Sequence, residues 1–329
     1  MSSEPPPSGN LLLVAEIQQA IAHAGGRIPF RDFMELALYH PLYGYYSAPG
    51  AKTGRRGDYL TSPQLSPLFG QCIARFVGEQ AVLEIGAGDG SLAAALAPGR
   101  QYTILERSPD FRARQQALLG SSAAWVADVP DGFEGVVISN ELLDALPVHR
   151  LWRDRERYVL PNFTEALAPY STSRLSHYFD LLRLQPIGEA EVNLAAMDLM
   201  AAIYKRLRRG RVLTIDYGRE AHDLYVGHPQ GTFLTYYQHT ANSNPYELIG
   251  RKDMTSHVDF TSLMALGESC GLRTVQFTAQ ADFLAHYGIG ELLLAVQADS
   301  DYLATRQAVM ELLKPAGMGD FRVLVQEKP

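Results

Sequence analysis

Val82-Leu83-Glu84-Ile85-Gly86-Ala87-Gly88-Asp89-Gly90 runs from apolar residues into three alternating glycines. The pattern reads as a short buried strand that turns sharply into a helix. Glycine permits the tight turn and lets a ligand come close to the backbone. Outward from this point the chain alternates strand and helix. The spacing predicts strands at 81–85, 102–105, 124–126, 136–139, 212–215, 273–278 and 321–326. It predicts helices at 92–96, 111–119, 194–208, 259–269, 281–297 and 301–313. Such a rhythm implies an α/β fold with a mostly parallel sheet covered on both faces. In such sheets ligands bind outside the carboxyl end of the first strand, which is where the glycines lie.

Two insertions interrupt the rhythm. One, at 148–190, opens with a predicted hairpin in HRLWRDRERYVLP; the other, at 217–257, is rich in Tyr, His, Gly and Asn. Both are expected to serve substrate recognition. Upstream, residues 10–25 carry Leu12, Leu13, Ile17 and Ile21 at helical spacing. A second helix from Pro29 should stop before His40-Pro41, because a residue preceding proline resists the α region. A loop rich in Gly, Ser, Pro and Tyr follows. The region 10–79 is expected to form a helical lid, and 1–9, Pro-rich and polar, to be a disordered tail.

Bulk properties narrow the function. The chain has 329 residues, a net charge of -7, 47% hydrophobic and 20% charged residues. That suits a globular protein with a sizeable core. Its basic residues are scattered, apart from Lys205, Arg206, Arg208, Arg209 and Arg211 at a helix end. Nucleic acid is therefore a poor partner. Cys72 and Cys270 are far apart and no metal-ligand spacing occurs, so neither a disulfide framework nor a metal centre is expected. The apolar run at 11–14 is too short for membrane insertion, and a cytoplasmic location is expected.

The glycine loop admits two cofactors, NAD and S-adenosyl-methionine. The details favour S-adenosyl-methionine. The glycines read Gly-x-Gly-x-Gly, not Gly-x-Gly-x-x-Gly. Glu84 lies two residues before Gly86; a carboxylate there suits an ammonium and would repel a pyrophosphate. Glu106 ends the second strand, 20 residues after Gly86, and suits both ribose hydroxyls. Asp128 follows the third strand and suits an adenine amino group. Gly86 and Gly88 complete the expected cofactor set. Asp58, in GDYLTSP at 57–63, is a candidate for the cofactor's amino-acid end or a substrate cation, and reads equally well as a turn acid.

Ser139-Asn140-Glu141-Leu142-Leu143-Asp144-Ala145-Leu146-Pro147 follows the fourth strand. Methyl transfer requires a nucleophile held about 3 Å from the methyl carbon. A guanidinium needs carboxylates to pair with it and to accept its proton. Glu141 and Asp144, three apart, would share a face if a helix starts here, and could fork around a planar guanidinium. Asn140 could bind the nucleophile's N–H, or it could be a helix N-cap. Asp216, at the end of the fifth strand, is a candidate substrate contact or a turn residue. His257 is a candidate general base or a plain loop histidine.

GDYLTSP, EIGAGDG, ERSPDFRARQ, NELLDALPV, the DYG at 216–218 and DMTSHVDF at 253–260 together resemble the MidA-like class I S-adenosyl-methionine-dependent methyltransferases, in consistent order over about 25–329. The resemblance implies a Rossmann-like seven-stranded sheet with its last strand antiparallel. It implies that Gly86, Gly88, Glu106 and Asp128 bind the cofactor, and that the loop at Asn140–Asp144 faces the methyl group. Mitochondrial members are protein arginine methyltransferases that act during assembly of respiratory complex I. The implied partner is thus a protein substrate presenting an arginine side chain, with a respiratory-complex subunit as a candidate.

Overall fold

A computed structural model describes residues 9–49, 52, 54, 58 and 60–329. The tail expected at 1–8 and Gly57 and Tyr59 of GDYLTSP lie outside the described residues. Gly9, assigned to the tail, forms a parallel bridge with Ile249.

Seven strands build the central sheet: β1 (Val82–Ile85), β2 (Tyr102–Leu105), β3 (Ala124–Val126), β4 (Phe133–Asn140), β5 (Leu207–Asp216), β6 (Arg273–Ala279) and β7 (Arg322–Lys328). Their order is β6-β7-β5-β4-β1-β2-β3. β1 pairs parallel with β2 and β4, and β4 parallel with β5. β7 runs antiparallel between β5 and β6, as the final strand was expected to do. Side chains alternate between the faces. Val136 and Ile138 join one apolar cluster with Leu92, Phe283 and Leu312, while Val137 joins another with Met200, Ile203 and Phe260. Each such buried side chain contributes roughly 1.5–3 kcal/mol of transfer free energy. The two faces explain why β4 reads as an unbroken apolar run.

The predicted helix at 281–297 is instead two, Gln280–His286 and Ile289–Ala295. Gly288 separates them with φ 78°, a left-handed conformation that ends the first helix. The helix expected at 194–208 stops at Arg206, where β5 begins.

Upstream lie α1 (Leu11–His23) and α2 (Phe30–Tyr39). Asn10 caps α1 by accepting from Leu12 N and Leu13 N. Val14 is buried in place of the expected Leu12, which is exposed. α2 buries Phe30, Phe33, Met34, Ala37 and Leu38 and gives way at His40, as the following proline requires. The insertion at 148–190 contains the predicted hairpin, His149–Trp152 with Arg155–Val159, within a small antiparallel sheet. Val148, Val159 and Phe163 pack with α1 and α2, so this insertion supports the lid and lines neither cavity described below. The second insertion contributes Leu234–Tyr237 and Asp253–Thr255, which pair antiparallel. Among the described residues no helix is long and apolar enough to cross a membrane.

Candidate active site

Two cavities open at the carboxyl edge of the sheet. The larger, about 500 Å³, is lined by Glu84, Gly86, Gly88, Asp89, Glu106 and Glu141, with Arg31, Glu35 and Tyr39 of α2 above them. The smaller, about 70 Å³, is lined by Tyr46, Glu141, Asp144, Tyr217, Tyr236, Asp253 and His257, among others. Tyr46, Glu141 and Ala145 belong to both linings, so the cavities share a wall.

The larger cavity is built by β1, β2 and the turns that follow them. Gly86 has φ 69°, and a Cβ there would lie 2.6 Å from Leu142 Cδ1, so only glycine fits beneath the loop after β4. At Gly88, φ 55°, a Cβ would meet no protein atom within 4 Å, so its backbone faces open space. Glu84 accepts a hydrogen bond from Tyr102 Oη at 2.7 Å, and burial raises its carboxyl to about 7. Glu106 accepts from Ser108 N at 2.8 Å and from Gln115 Nε2 at 2.9 Å; burial raises it also. Gln115 also donates to Gly88 O at 2.8 Å and accepts from Trp125 Nε1 at 3.0 Å, which ties the glycine loop to the end of β2. Asp89 accepts from Ser91 N and Gln64 Nε2. Over the opening, Arg107 pairs with Glu35 and sits 4.6 Å from the Tyr39 ring centroid. The lid thus closes by an ion pair and a cation–π contact. Among the charged residues of this lining acids outnumber Arg31 and Arg107, which suits a ligand carrying both an ammonium and a sulfonium.

Two expected cofactor contacts stand elsewhere. Asp128 is exposed and paired with Arg206 across the sheet surface, outside the lining. Asp58 is buried, but its carboxylate accepts from Tyr45 Oη at 2.8 Å and Gln238 N at 2.7 Å, and it lines neither cavity. It ties the lid loop to the second insertion.

The loop after β4 does not enter an α-helix. It makes a single 3-10 turn, Leu143–Ala145, with no side-chain cap. Asn140 is therefore the last residue of β4, not an N-cap, and Glu141 and Asp144 do not share a helix face. Glu141 takes a left-handed φ of 49°, a conformation that costs a non-glycine residue roughly 1–3 kcal/mol and clusters at functional sites. Asp216 is the reason the loop holds this form. Its carboxylate accepts from Leu142 N, Leu143 N and Tyr217 N, and Glu141 N donates to Ile215 O. Asn193 Nδ2 and Ser256 N bond Leu143 O and Asp144 O from outside. Asp216 thus organises the backbone and lines neither cavity.

Glu141 Oε1 accepts from Ser62 N at 2.8 Å and Asn140 Nδ2 at 3.0 Å; burial raises its carboxyl to about 7. Asp144 is raised well above the carboxylate range by burial and then by Asp216, Asp253 and Glu141. Burial lowers His257 to about 4, so its imidazole is neutral at pH 7. Asp144 Oδ1, Asn140 Oδ1, Ser256 Oγ and His257 Nδ1 are buried and have no hydrogen-bond partner among the described residues. Unpaired buried polar atoms are costly and rare; those of Asp144, Ser256 and His257 belong to residues lining the smaller cavity, and Asn140 lines the larger one beside it. No lysine or arginine is among the residues lining it. Tyr43, Tyr45 and Tyr46 read from the sequence either as walls of a cationic pocket or as core packing, and Tyr46 lines both cavities; sequence reasoning missed Tyr236 and Asp253 of the second insertion, which no periodic signal marks.

The strand order, the glycine turn after β1 and the acid ending β2 define a class I S-adenosyl-methionine-dependent methyltransferase. A family model described as "Putative S-adenosyl-L-methionine-dependent methyltransferase" matches residues 73–278, and the chain belongs to that family, the MidA-like methyltransferases. A crystal structure from Burkholderia thailandensis with S-adenosyl-homocysteine bound is 34% identical. It superposes with a TM-score of 0.89 over 99% of this chain and 95% of that one. The Drosophila melanogaster "Protein arginine methyltransferase NDUFAF7 homolog, mitochondrial" is 28% identical over 80% of this chain and 72% of its own length. The Homo sapiens "Protein arginine methyltransferase NDUFAF7, mitochondrial" is 25% identical over 90% and 78%. S-adenosyl-methionine is the cofactor, and methyl transfer is the chemistry.

Proposed function

We propose that this methyltransferase modifies a nitrogen of an arginine side chain presented by a partner protein. One observation carries the reading: Glu141 lines both cavities, and the smaller one holds buried acids, unpaired polar atoms and no lysine or arginine. Such a site is incomplete without a cation. The curated relatives, named protein arginine methyltransferases, support a protein arginine acceptor for the same site.

In this reading Gly86 and Gly88 admit the cofactor to the loop backbone, Glu106 takes its ribose hydroxyls and Glu84 its ammonium. Bound S-adenosyl-methionine supplies an electrophilic methyl group on a sulfonium. Glu141, at the shared wall, pairs with the guanidinium and concentrates its positive charge on the nitrogens that do not react. Asn140 Oδ1 accepts an N–H and turns the reacting nitrogen. Asp144 balances the cation's charge from the smaller cavity. One proton must leave the nitrogen as the new N–C bond forms, and an acid poised near neutral pH is suited to accept it. Glu141 meets that requirement. His257 lines the same cavity as Asp144, but burial lowers it to about 4, which makes it a weaker proton acceptor than Glu141.

The test is incubation with S-adenosyl-methionine carrying a labelled methyl group and a cell lysate of the source organism. Label in protein, recovered as methylarginine after hydrolysis, is the expected result. Label confined to small metabolites overturns the protein acceptor.

A further inference from the structure

Asp253 is buried at the back of the smaller cavity, on the strand Asp253–Thr255 of the second insertion. Its register partner is Tyr236, whose ring lines the same cavity. Asp253 Oδ1 accepts from Tyr46 Oη at 2.6 Å and from Met254 N at 2.9 Å. No hydrogen bond is formed by Oδ2 among the described residues.

Other buried acids of this chain have structural work. Asp216 holds four backbone N–H groups of the loop after β4 and of its own turn. Asp259 caps the helix Phe260–Ser269 and accepts from Tyr178 and Ser262. Glu191 binds Thr232 through both its backbone and its hydroxyl. Asp253 organises nothing comparable: one of its bonds is to its immediate neighbour, and the other is to a tyrosine that itself lines both cavities. Asp253 and Asp144 interact electrostatically although one comes from the insertion and the other from the sheet edge. Two acids from unrelated segments therefore converge on one small space that contains no lysine or arginine.

We propose that Asp253 is a specificity-determining residue of the acceptor site, binding the far side of the guanidinium opposite the reacting nitrogen while Tyr46 orients its carboxylate. The inference rests on the arginine reading above. It assigns the cation's recognition jointly to the methyltransferase sheet and to the second insertion. A planar guanidinium offers five N–H donors, enough to satisfy Asp253, Asp144 and Glu141 together. The groups facing Asp253 are Tyr46 and Tyr39 from the lid, Asp144 from the sheet edge, Tyr236 from the paired strand and Asp58 from the lid loop. All are acids or neutral phenols. Burial raises the carboxyl to about 7, and the Tyr46 bond holds it below where burial alone would set it.

The experiment titrates ethylguanidine into full-length protein loaded with S-adenosyl-homocysteine, from pH 6 to 9, by calorimetry. Asp253→Asn should weaken ethylguanidine binding at least about tenfold at pH 8, as loss of one charge-assisted hydrogen bond does. S-adenosyl-homocysteine affinity should stay within twofold. Tyr46→Phe keeps the carboxylate and removes the bond that lowers it. The pH at which binding is half lost should therefore move upward, an effect a purely structural tyrosine would not produce. If Asp253→Asn does not fold, Tyr46→Phe carries the test. Undiminished binding by a folded Asp253→Asn, or an unmoved pH midpoint in Tyr46→Phe, overturns the assignment while leaving the arginine reading intact. Absence of ethylguanidine binding by the wild type at every pH overturns that reading and this inference with it.

Discussion

The two cavities share a wall but are built on different principles. The floor of the cofactor cavity, from β1 to the turn after β2, is local, although the lid and the loop after β4 complete its lining. Glu84, Gly86, Gly88 and Glu106 all lie within 23 residues, on two adjacent strands and the turns they feed. Its acids are partnered: Glu84 by Tyr102, Glu106 by Ser108 and Gln115, Asp89 by Ser91 and Gln64. The smaller cavity, the proposed acceptor site, is assembled from the lid, the loop after β4, the end of β5 and two stretches of the second insertion. Asp144 Oδ1, Ser256 Oγ and His257 Nδ1 are left unpaired in it among the described residues. On the proposed reading the difference follows from their ligands. A preorganised pocket that always takes the same cofactor gains by satisfying its own groups. A pocket that recognises a cation by charge must keep carboxylate oxygens free for it, at a cost in stability.

The largest effect should come where the two cavities meet. Glu141→Gln should lower methyl transfer by about 10²–10⁴-fold, the range for losing a general base, with cofactor affinity within about threefold. Asp144→Asn should follow with about a 10²-fold loss at unchanged cofactor affinity. Full transfer by Asp144→Asn would show that the smaller cavity does not grip the acceptor. Single-turnover rates with labelled cofactor, read beside calorimetric titration, separate the two outcomes.

Glu106→Ala reverses the pattern. Loss of hydrogen bonds to an ionised group should weaken S-adenosyl-methionine binding by about 10–100-fold, with the acceptor KM unchanged. An equal loss in both would mean that the cavities are coupled rather than merely adjacent.

Stability against pH gives a third, smaller contrast. Burial raises Glu84, Glu141, Asp216 and Asp253 to about 7. A carboxyl with a raised folded-state pKa favours folding in its neutral form. Its contribution is complete below the ordinary carboxylate range and is lost as pH rises through about 7. The ligand-free protein should therefore melt at a lower temperature at pH 8 than at pH 5.5 in scanning calorimetry. Ethylguanidine should restore part of the difference at pH 8, because it pairs with the acids that ionise in the acceptor cavity. A flat profile would mean that these acids are ionised and solvated in the folded protein.

The smallest effect is expected at Asp128. Its carboxylate pairs with Arg206 at the surface. Asp128→Ala should change S-adenosyl-methionine affinity less than about twofold, within the range of exposed ion pairs. A tenfold loss would require β3 and its following turn to rearrange when the cofactor binds.

Much of this was legible before any coordinates. Strands β1, β2, β4, β5 and β7 announce themselves as short runs of Val, Ile and Leu, because a strand buried on both faces has no polar side. The Gly-x-Gly-x-Gly turn and the acid 20 residues after Gly86 follow from chain geometry alone, so the cofactor class was readable too. The loop after β4 was recognisable as polar, but its shape was not. Glu141 and Asp144 would have shared a face had a helix started there. The structure uses a left-handed residue and one 3-10 turn, held by Asp216 from the next strand. Tyr46 and Asp253 stand 207 residues apart, and no local pattern joins them.

The sequence by itself determined the sheet, the glycine turn and the cofactor, because hydrophobic periodicity and backbone freedom are properties of neighbouring residues. Only the tertiary structure decided which acids face a cavity and which face water. Whether a carboxylate is buried, partnered or left open depends on segments that meet in space and not in the chain, as Asp128, Asp216 and Asp253 each show.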